Sequence, residues 1–325
     1  MHHLGIDISK LTFDASLLIE GKYRNKKFDN DEAGFVALLQ WLESYTAEDV
    51  HACMEGTGRL WEPLAEFLCE RDIRVSVVNP LKIKGFARSE LRRSKTDKLD
   101  AQVIARFCRA IAPAPWKAPD QCLKEIRDIQ RATDALKKMV TQEKNRLQSG
   151  ALPVIVKTMI EDHIKYLEAE IARLEEVVVR LAETKEEIMH KFRLLMSIVG
   201  IGQTTAITIL SEVPYIEDFP SAKQLEVFAG ISPRLYQSGS SVNGRTKISK
   251  VGNKRIRAAL YMPALAAMRF NPFLKEFATR LKSAGKPGRV VVCAVMRKLL
   301  RLMYSIIKSG RPFDRNYVSA APTAA

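Results

Sequence analysis

Four carboxylates occupy positions that a soluble chain has little structural reason to give them. Asp7 interrupts the apolar run Leu4-Gly-Ile-Asp-Ile8, and Glu55 closes another, Val50-His-Ala-Cys-Met-Glu55, with Gly56 and Gly58 clearing space beside it. Asp97 and Asp100, in Lys95-Thr-Asp-Lys-Leu-Asp-Ala101, are spaced so that a helix would carry both on one face of its first turns. An acid in a core strand is costly unless it is paired, metal-bound or at an open sheet edge. Singly, each has a plain reading: Asp7 facing solvent, and the Asp pair serving a helix N-terminus. Together they are a set of hard oxygen donors suited to Mg2+ or Mn2+ rather than zinc. Two such ions about 4 Å apart can activate an attacking oxygen and stabilise a leaving one in phosphoryl transfer. Seven Lys or Arg against two acids lie between Lys82 and Lys98, among them Arg92, Arg93 and Lys95, where they can hold a phosphate backbone beside the acids.

The elements that must position these acids follow from periodicity. Strands are expected at Leu4–Ile8, Leu11–Ile19, Lys22–Phe28, Val50–Met54 and Val75–Val78. Helices are expected at Asp31–Tyr45, Leu60–Glu70 and Thr96–Ile111. An acid on the first strand, one after the fourth and a pair on a following helix match the ribonuclease-H-like nuclease plan, in which the first strand lies beside the fourth. Actin-like ATPases and sugar kinases share that plan but need a Gly-rich phosphate loop after the first strand. Ile8-Ser-Lys-Leu-Thr12 has none.

Residues 1–112 thus form an α/β catalytic domain. Three prolines make 113–119 a semi-rigid linker. Residues 120–192 are helical, and Ile160, Ile164, Leu167, Ile171, Leu174, Val178 and Leu181 step in alternating fours and threes. That is a heptad seam, read as a coiled coil or an ordinary packed helix pair. Residues 193–325 are a mainly helical basic domain. It opens on Ile198-Val-Gly-Ile-Gly202, a helix-hairpin-helix-like turn whose amides could meet a DNA phosphate, or a simple packing turn.

The 325 residues carry a formal net charge of +15, and the excess is concentrated: Arg234 to Arg315 holds nineteen Lys or Arg and two acids, Glu276 and Asp314. Such a block is the footprint of a nucleic-acid surface. It contains the serine-rich stretch Gln237-Ser-Gly-Ser-Ser-Val-Asn-Gly-Arg245, which on residue types alone reads as a flexible turn. Arg234, Arg245, Lys247, Lys250, Lys254, Arg255 and Arg257 are its candidate phosphate contacts. No apolar run approaches the roughly 18 residues of a membrane span. MHHLGIDISK is neither a signal nor a transit peptide. Five widely spaced cysteines without a CxxC suit a reducing cytosol.

Several motifs, in order along nearly the whole chain, resemble those of insertion-sequence family 110 transposases with a DEDD motif. They are Gly-Ile-Asp7-Ile-Ser-Lys, Met-Glu55-Gly-Thr-Gly, Lys-Thr-Asp97-Lys-Leu-Asp100-Ala, Ile198-Val-Gly-Ile-Gly, Phe228-Ala-Gly-Ile-Ser-Pro-Arg234, Ser238-Gly-Ser-Ser and Ala259-Leu-Tyr-Met-Pro263. The resemblance implies a DNA recombinase with a Resolvase-like domain holding Mg2+ through Asp7, Glu55, Asp97 and Asp100. It also implies a second domain whose nucleophile is Ser238, with Ser240 and Ser241 as competitors. It further implies a bridge RNA that pairs with donor and target DNA, and a dimer that assembles to a tetramer on DNA, acting at the bacterial nucleoid. The readings to set against it are a structure-selective, metal-dependent nuclease in which water attacks, and a non-catalytic nucleic-acid scaffold.

Overall fold

The computed structural model describes residues 1–45, 49–90, 96–234 and 247–315, with the backbone alone of 237–238 and 242–243. They divide into two compact units, 1–118 and 119–325.

The first unit is built on five strands, β1 (His2–Ile8), β2 (Thr12–Ile19), β3 (Lys22–Asp29), β4 (Val50–Glu55) and β5 (Arg74–Val78), in the order β3-β2-β1-β4-β5. The first three are antiparallel neighbours, whereas β4 and β5 run parallel to β1. The expected adjacency of the first and fourth strands is therefore present. Strand alternation sends Leu4, Ile6, Phe13, Ala15 and Leu17 to one face. There they meet Phe35, Leu38, Trp41 and Leu42 of α1 (Glu32–Glu43) and Leu64, Ala65 and Leu68 of α2 (Glu62–Cys69).

The opposite face takes α4 (Asp97–Ile111), which follows α3 (Pro80–Ser89). Gly5 explains how closely α4 lies: a Cβ there would collide with the backbone of Ala101 and Ala105. A glycine on the strand and two alanines on the helix let backbone meet backbone. Helix α3 is an addition to the elements expected from periodicity. It opens on Asn79, whose side chain accepts from the Leu81 amide, and on Pro80 in the first turn, and it buries only Ile83, so it shows almost no apolar period. The proline-rich segment does not swing free. The Trp116 amide donates to the Val75 carbonyl at 2.7 Å, and the Trp116 ring meets Trp61 edge-on at 5.3 Å.

The second unit is mostly helical. Its first two helices, α5 (Gln121–Gln148) and α6 (Val154–Glu183), pair antiparallel, with Lys137–Glu175 at 2.6 Å and Lys144–Glu168 at 2.7 Å bridging them. Ile160, Ile164 and Leu167 of the heptad seam pack on Val140 and Leu136 of α5. The partner of the seam is therefore this chain's own preceding helix. Further along, Cys122, Leu123, Ile126, Val178 and Ala182 join the core of the C-terminal helices, so the residues on either side of 193 share one hydrophobic interior.

That interior is organised by α13 (Gly288–Ser309), which buries Val291, Val295, Leu299 and Met303 against α7 (Glu186–Met196), α9 (Ala222–Ala229), α11 (Tyr261–Phe270) and α12 (Pro272–Ser283), while α8 (Gln203–Glu212) and α10 (Lys254–Ala259) complete the same apolar cluster. The carboxylate of Glu226 on α9 is fully buried and held by Arg297, at 2.9 Å, and by Arg301 of α13. Glu226→Ala leaves two guanidinium groups without their counter-charge. Because both are partly exposed, the expected loss is about 2 kcal/mol rather than the larger cost of a fully buried pair, measured by urea denaturation. All five cysteines are free thiols. Among the described residues no helix is long and apolar enough to cross a membrane.

Candidate active site

Asp7 lies two residues beyond Gly5 and so shares its face, the one that α4 covers. On β4, Glu55 stands one step past the Ile6–Met54 pairing and so comes level with Asp7 at the ends of two parallel strands. Thr57 donates its hydroxyl to Glu55 Oε1 at 2.6 Å, and the Gly56 amide donates to the Val78 carbonyl at 2.8 Å, fixing the strand end that carries the acid.

Helix α4 begins at Thr96, whose hydroxyl accepts from the Leu99 amide at 3.3 Å. Thr96 therefore does the capping, and Asp97 and Asp100 are not needed for it. They occupy the first turn, where the helix dipole favours negative charge. Asp97 is one helical turn before Ala101, whose backbone touches Gly5, so the turn bearing both acids is brought to the end of β1 that bears Asp7.

The electrostatics register this convergence. Burial pushes the Asp7 carboxyl up to about 6, and the nearby charges of Asp100, Asp97, Glu55 and Asp14 push it in the same direction. Glu55, Asp97 and Asp100 thus lie near enough to Asp7 to bear on its charge. Sequence reading missed Asp14. It sits directly opposite Asp7 in the β1–β2 register, its carboxyl is raised by burial and by Asp97, and Lys27 at 3.8 Å counters that shift. The signal was available: alternation in Thr12–Ile19 puts Asp14 on the face opposite Phe13, Ala15 and Leu17.

The donor set is chemically right for a divalent cation: several carboxylates, no thiol or imidazole among them, and like charges that a cation would neutralise. Among the described residues, though, no group of three or more His, Cys, Asp or Glu side chains is drawn together as a coordination sphere. The acids converge in strand register and in their electrostatic effect on Asp7.

Of the expected basic contacts, Arg234, Lys247 and Lys254 are exposed, and Lys250 adopts a left-handed backbone at φ 57°. Two others are occupied inside the fold. Arg255 bonds Asp134 at 2.8 Å and lies 3.7 Å from Glu212, while Arg257 donates to the Ala229 carbonyl at 3.1 Å. Glu212 also binds Arg131 and Asn253, which makes this a partly buried network, centred on the buried Glu212, joining α5, α8 and the start of α10. Arg92, Arg93, Lys95 and Arg245 lie outside the described residues, as do Ser240 and Ser241. Ser238 lies on a short strand, Gln237–Ser238, paired with Val242–Asn243 in the register Ser238–Val242.

The Ile198–Gly202 turn joins α7 to α8. Gly200, at φ 104°, backs onto α11, where a Cβ would come within 3.0 Å of the Ala267 backbone. Asn271 donates to the Val199 carbonyl at 3.3 Å. The first glycine of the turn thus packs against α11, while Gly202 is exposed with open space beside it.

With this geometry in hand, known proteins show where the chain belongs. Residues 4–155 match a family model of DEDD transposases of the IS110 type, described as a transposase. Residues 192–279 match the model described as transposase IS116/IS110/IS902 family. The chain is 34% identical over 316 residues to a pilin gene-inverting protein of Moraxella bovis, covering 96% of this chain and 98% of that one. A protein of the same name from Moraxella lacunata is 33% identical over the same length. The transposase for insertion sequence element IS1328 of Yersinia enterocolitica is 24% identical over 291 residues, covering 78% of this chain and 82% of its own. A DEDD transposase domain implies dependence on a divalent metal. By both family models and by full-length relatives, the chain belongs to the IS110-type transposases, enzymes that act on DNA.

Proposed function

We propose that this protein is a DNA recombinase that cuts and rejoins strands by transesterification at Ser238, with Asp7, Glu55, Asp97 and Asp100 as the acid centre of a ribonuclease-H-like domain. The observation that carries the reading is the convergence of those four acids on the Asp7 carboxyl, in a chain of this transposase family. The acids would hold Mg2+ or Mn2+, which when bound neutralises charge on the phosphate and lowers the pKa of an attacking oxygen.

The chain's own part is as follows. The Ser238 hydroxyl gives up its proton and attacks phosphorus, and a phosphoserine ester forms as the phosphate–sugar bond breaks. The departing sugar oxygen takes up a proton. The reverse step on another strand restores a phosphodiester, so no nucleotide hydrolysis is needed. Cations close to Ser238 in sequence, Arg234, Arg245, Lys247 and Lys250, offset the charge that develops on the phosphate. The inversion named for the two Moraxella relatives requires every cut strand to be rejoined, which favours this exchange over hydrolysis by water.

A guide RNA and a tetramer on DNA complete the reading. The basic C-terminal block supplies the polyanion surface for both nucleic acids. Sequencing the RNA that co-purifies with the protein, expressed with the element's flanks, tests the guide. One defined, structured species is expected, and a random host population would refute it. For the nucleophile, Ser238→Ala in a plasmid inversion reporter is expected to abolish recombination, whereas Ser240→Ala and Ser241→Ala leave it measurable. Undiminished recombination by the Ser238 variant would overturn the assignment.

A further inference from the structure

We propose that the outer strand β3 is a rail for a DNA phosphate backbone, and that Lys27 at its end holds a phosphate beside the acid centre. This rests on the reading of that centre as the place where DNA is cut. β3 is an edge strand with four exposed cations within six residues; Lys27 shares the face of the acid centre, and Lys22, Arg24 and Lys26 alternate to the other face along the same open edge. Among the described residues Lys22, Arg24 and Lys26 have no acidic partner within ion-pair distance. Arg24 lies 5.8 Å from the Tyr45 ring centroid and Lys26 5.2 Å from that of Phe28. Their charges are available to a polyanion.

Lysines on an edge strand also deter strand-to-strand aggregation. That role needs only exposure, and Lys27 shows more. Tyr23, Asn25 and Lys27 share the face that α4 covers. Arg106 donates to the Tyr23 hydroxyl at 3.0 Å, and Gln102, one turn nearer the helix start, donates to Asn25 at 3.2 Å. The next step along β3 is Lys27, and one more turn toward the helix start brings Lys98, which is exposed. The two elements are thus laced together up to the end where Asp97 and Asp100 lie, and there the pattern changes to lysines.

The register completes the geometry. Lys27 pairs with Asp14, and Asp14 pairs with Asp7, so one transverse row across the sheet reads Lys27, Asp14, Asp7. Neighbouring strands are about 4.8 Å apart, which puts the Lys27 backbone roughly 10 Å from that of Asp7. A long side chain there spans about the distance between successive phosphates on one strand. The Lys27–Asp14 bridge is loose, at 3.8 Å with the lysine side chain 57% exposed, and contributes little to stability. It keeps the ammonium at the acid centre while leaving its outer side open to a phosphate.

The test uses the full chain, a 30-base-pair duplex of arbitrary sequence, fluorescence anisotropy over a NaCl series, and calorimetric titration with Mn2+. Replacing Lys22, Arg24, Lys26 and Lys27 together by Gln is expected to lower the slope of log K against log salt by about 2–4, near 0.9 per lost phosphate contact. Lys27→Ala alone should lower it by about 1, and Lys27→Arg should restore it. Mn2+ affinity should stay within about twofold of wild type in all three, because none of these residues is an acid-centre ligand. An unchanged slope overturns the proposal, including the case in which the fourfold variant aggregates, since that is edge protection alone. A Lys27→Ala variant that loses Mn2+ affinity also overturns it, because its effect is then on the acids. Failure of the acid-centre reading shows separately, as wild type and Asp7→Asn binding Mn2+ alike.

Discussion

Replacing Asp7 with Asn is expected to abolish DNA strand transfer and, in the absence of divalent metal, to make the protein more stable. Asp7 is pushed up to about 6 by burial and by four neighbouring carboxylates, so its ionised form is penalised in the fold. For an acid whose folded pKa is raised, the native state binds more protons than the unfolded one between the two values. Its contribution to stability is therefore present below about pH 4 and is lost as pH rises toward 6 and above. The side chain is partly exposed, and after solvent screening the penalty at pH 7 is about 1–2 kcal/mol. Asn is nearly isosteric and carries no charge, so thermal denaturation at pH 7 should show a higher midpoint for the variant, and the difference should vanish near pH 4. Activity should move the other way. With Asp7 as a metal ligand, as proposed, its replacement forfeits several kcal/mol of transition-state stabilisation, or about 10³-fold or more in rate. A variant that is both active and less stable would contradict both halves of this expectation.

Gly5→Ala should be the most damaging conservative change in the first unit. The added methyl would land on the backbone of Ala101 and Ala105, which cannot rotate aside as a side chain can. Helix α4 must lift from β1, at an expected cost of about 3 kcal/mol or more. Since α4 carries Asp97 and Asp100, the displacement also separates them from Asp7, and activity should fall even at temperatures where the variant remains folded. Urea denaturation and a plasmid recombination assay at low temperature measure the two effects. A variant of wild-type stability would mean that α4 does not sit against Gly5.

The acid centre was legible in the sequence because its members break local rules. Asp7 and Glu55 are charges in apolar strands, and Asp97 and Asp100 share a helix face. The strands and α4 were legible for the opposite reason, because they follow the rules of period and capping. What stayed hidden depends on partners distant in the chain. The heptad seam announces that α6 pairs with the helix expected over residues 123–147, with another protomer, or with both, and the structure packs it on α5. Arg255 and Arg257 look like surface charges until Asp134, Glu212 and the Ala229 carbonyl are placed around them. Alternation in Thr12–Ile19 shows which face Asp14 takes, but its place directly opposite Asp7 comes only from the closed hairpin. Helix α3 buries too little to show a period.

The central claim is that this chain joins itself to DNA through Ser238 under the control of the acid centre. It is tested most directly by incubating the protein with Mg2+ and supercoiled DNA carrying the element and its flanks, denaturing, and mapping any protein–DNA adduct by mass spectrometry. A phosphoester is expected on the peptide containing Ser238 in the wild type and none with Asp7→Asn. Cleaved DNA with free ends and unmodified protein would show that water is the nucleophile and would contradict the account.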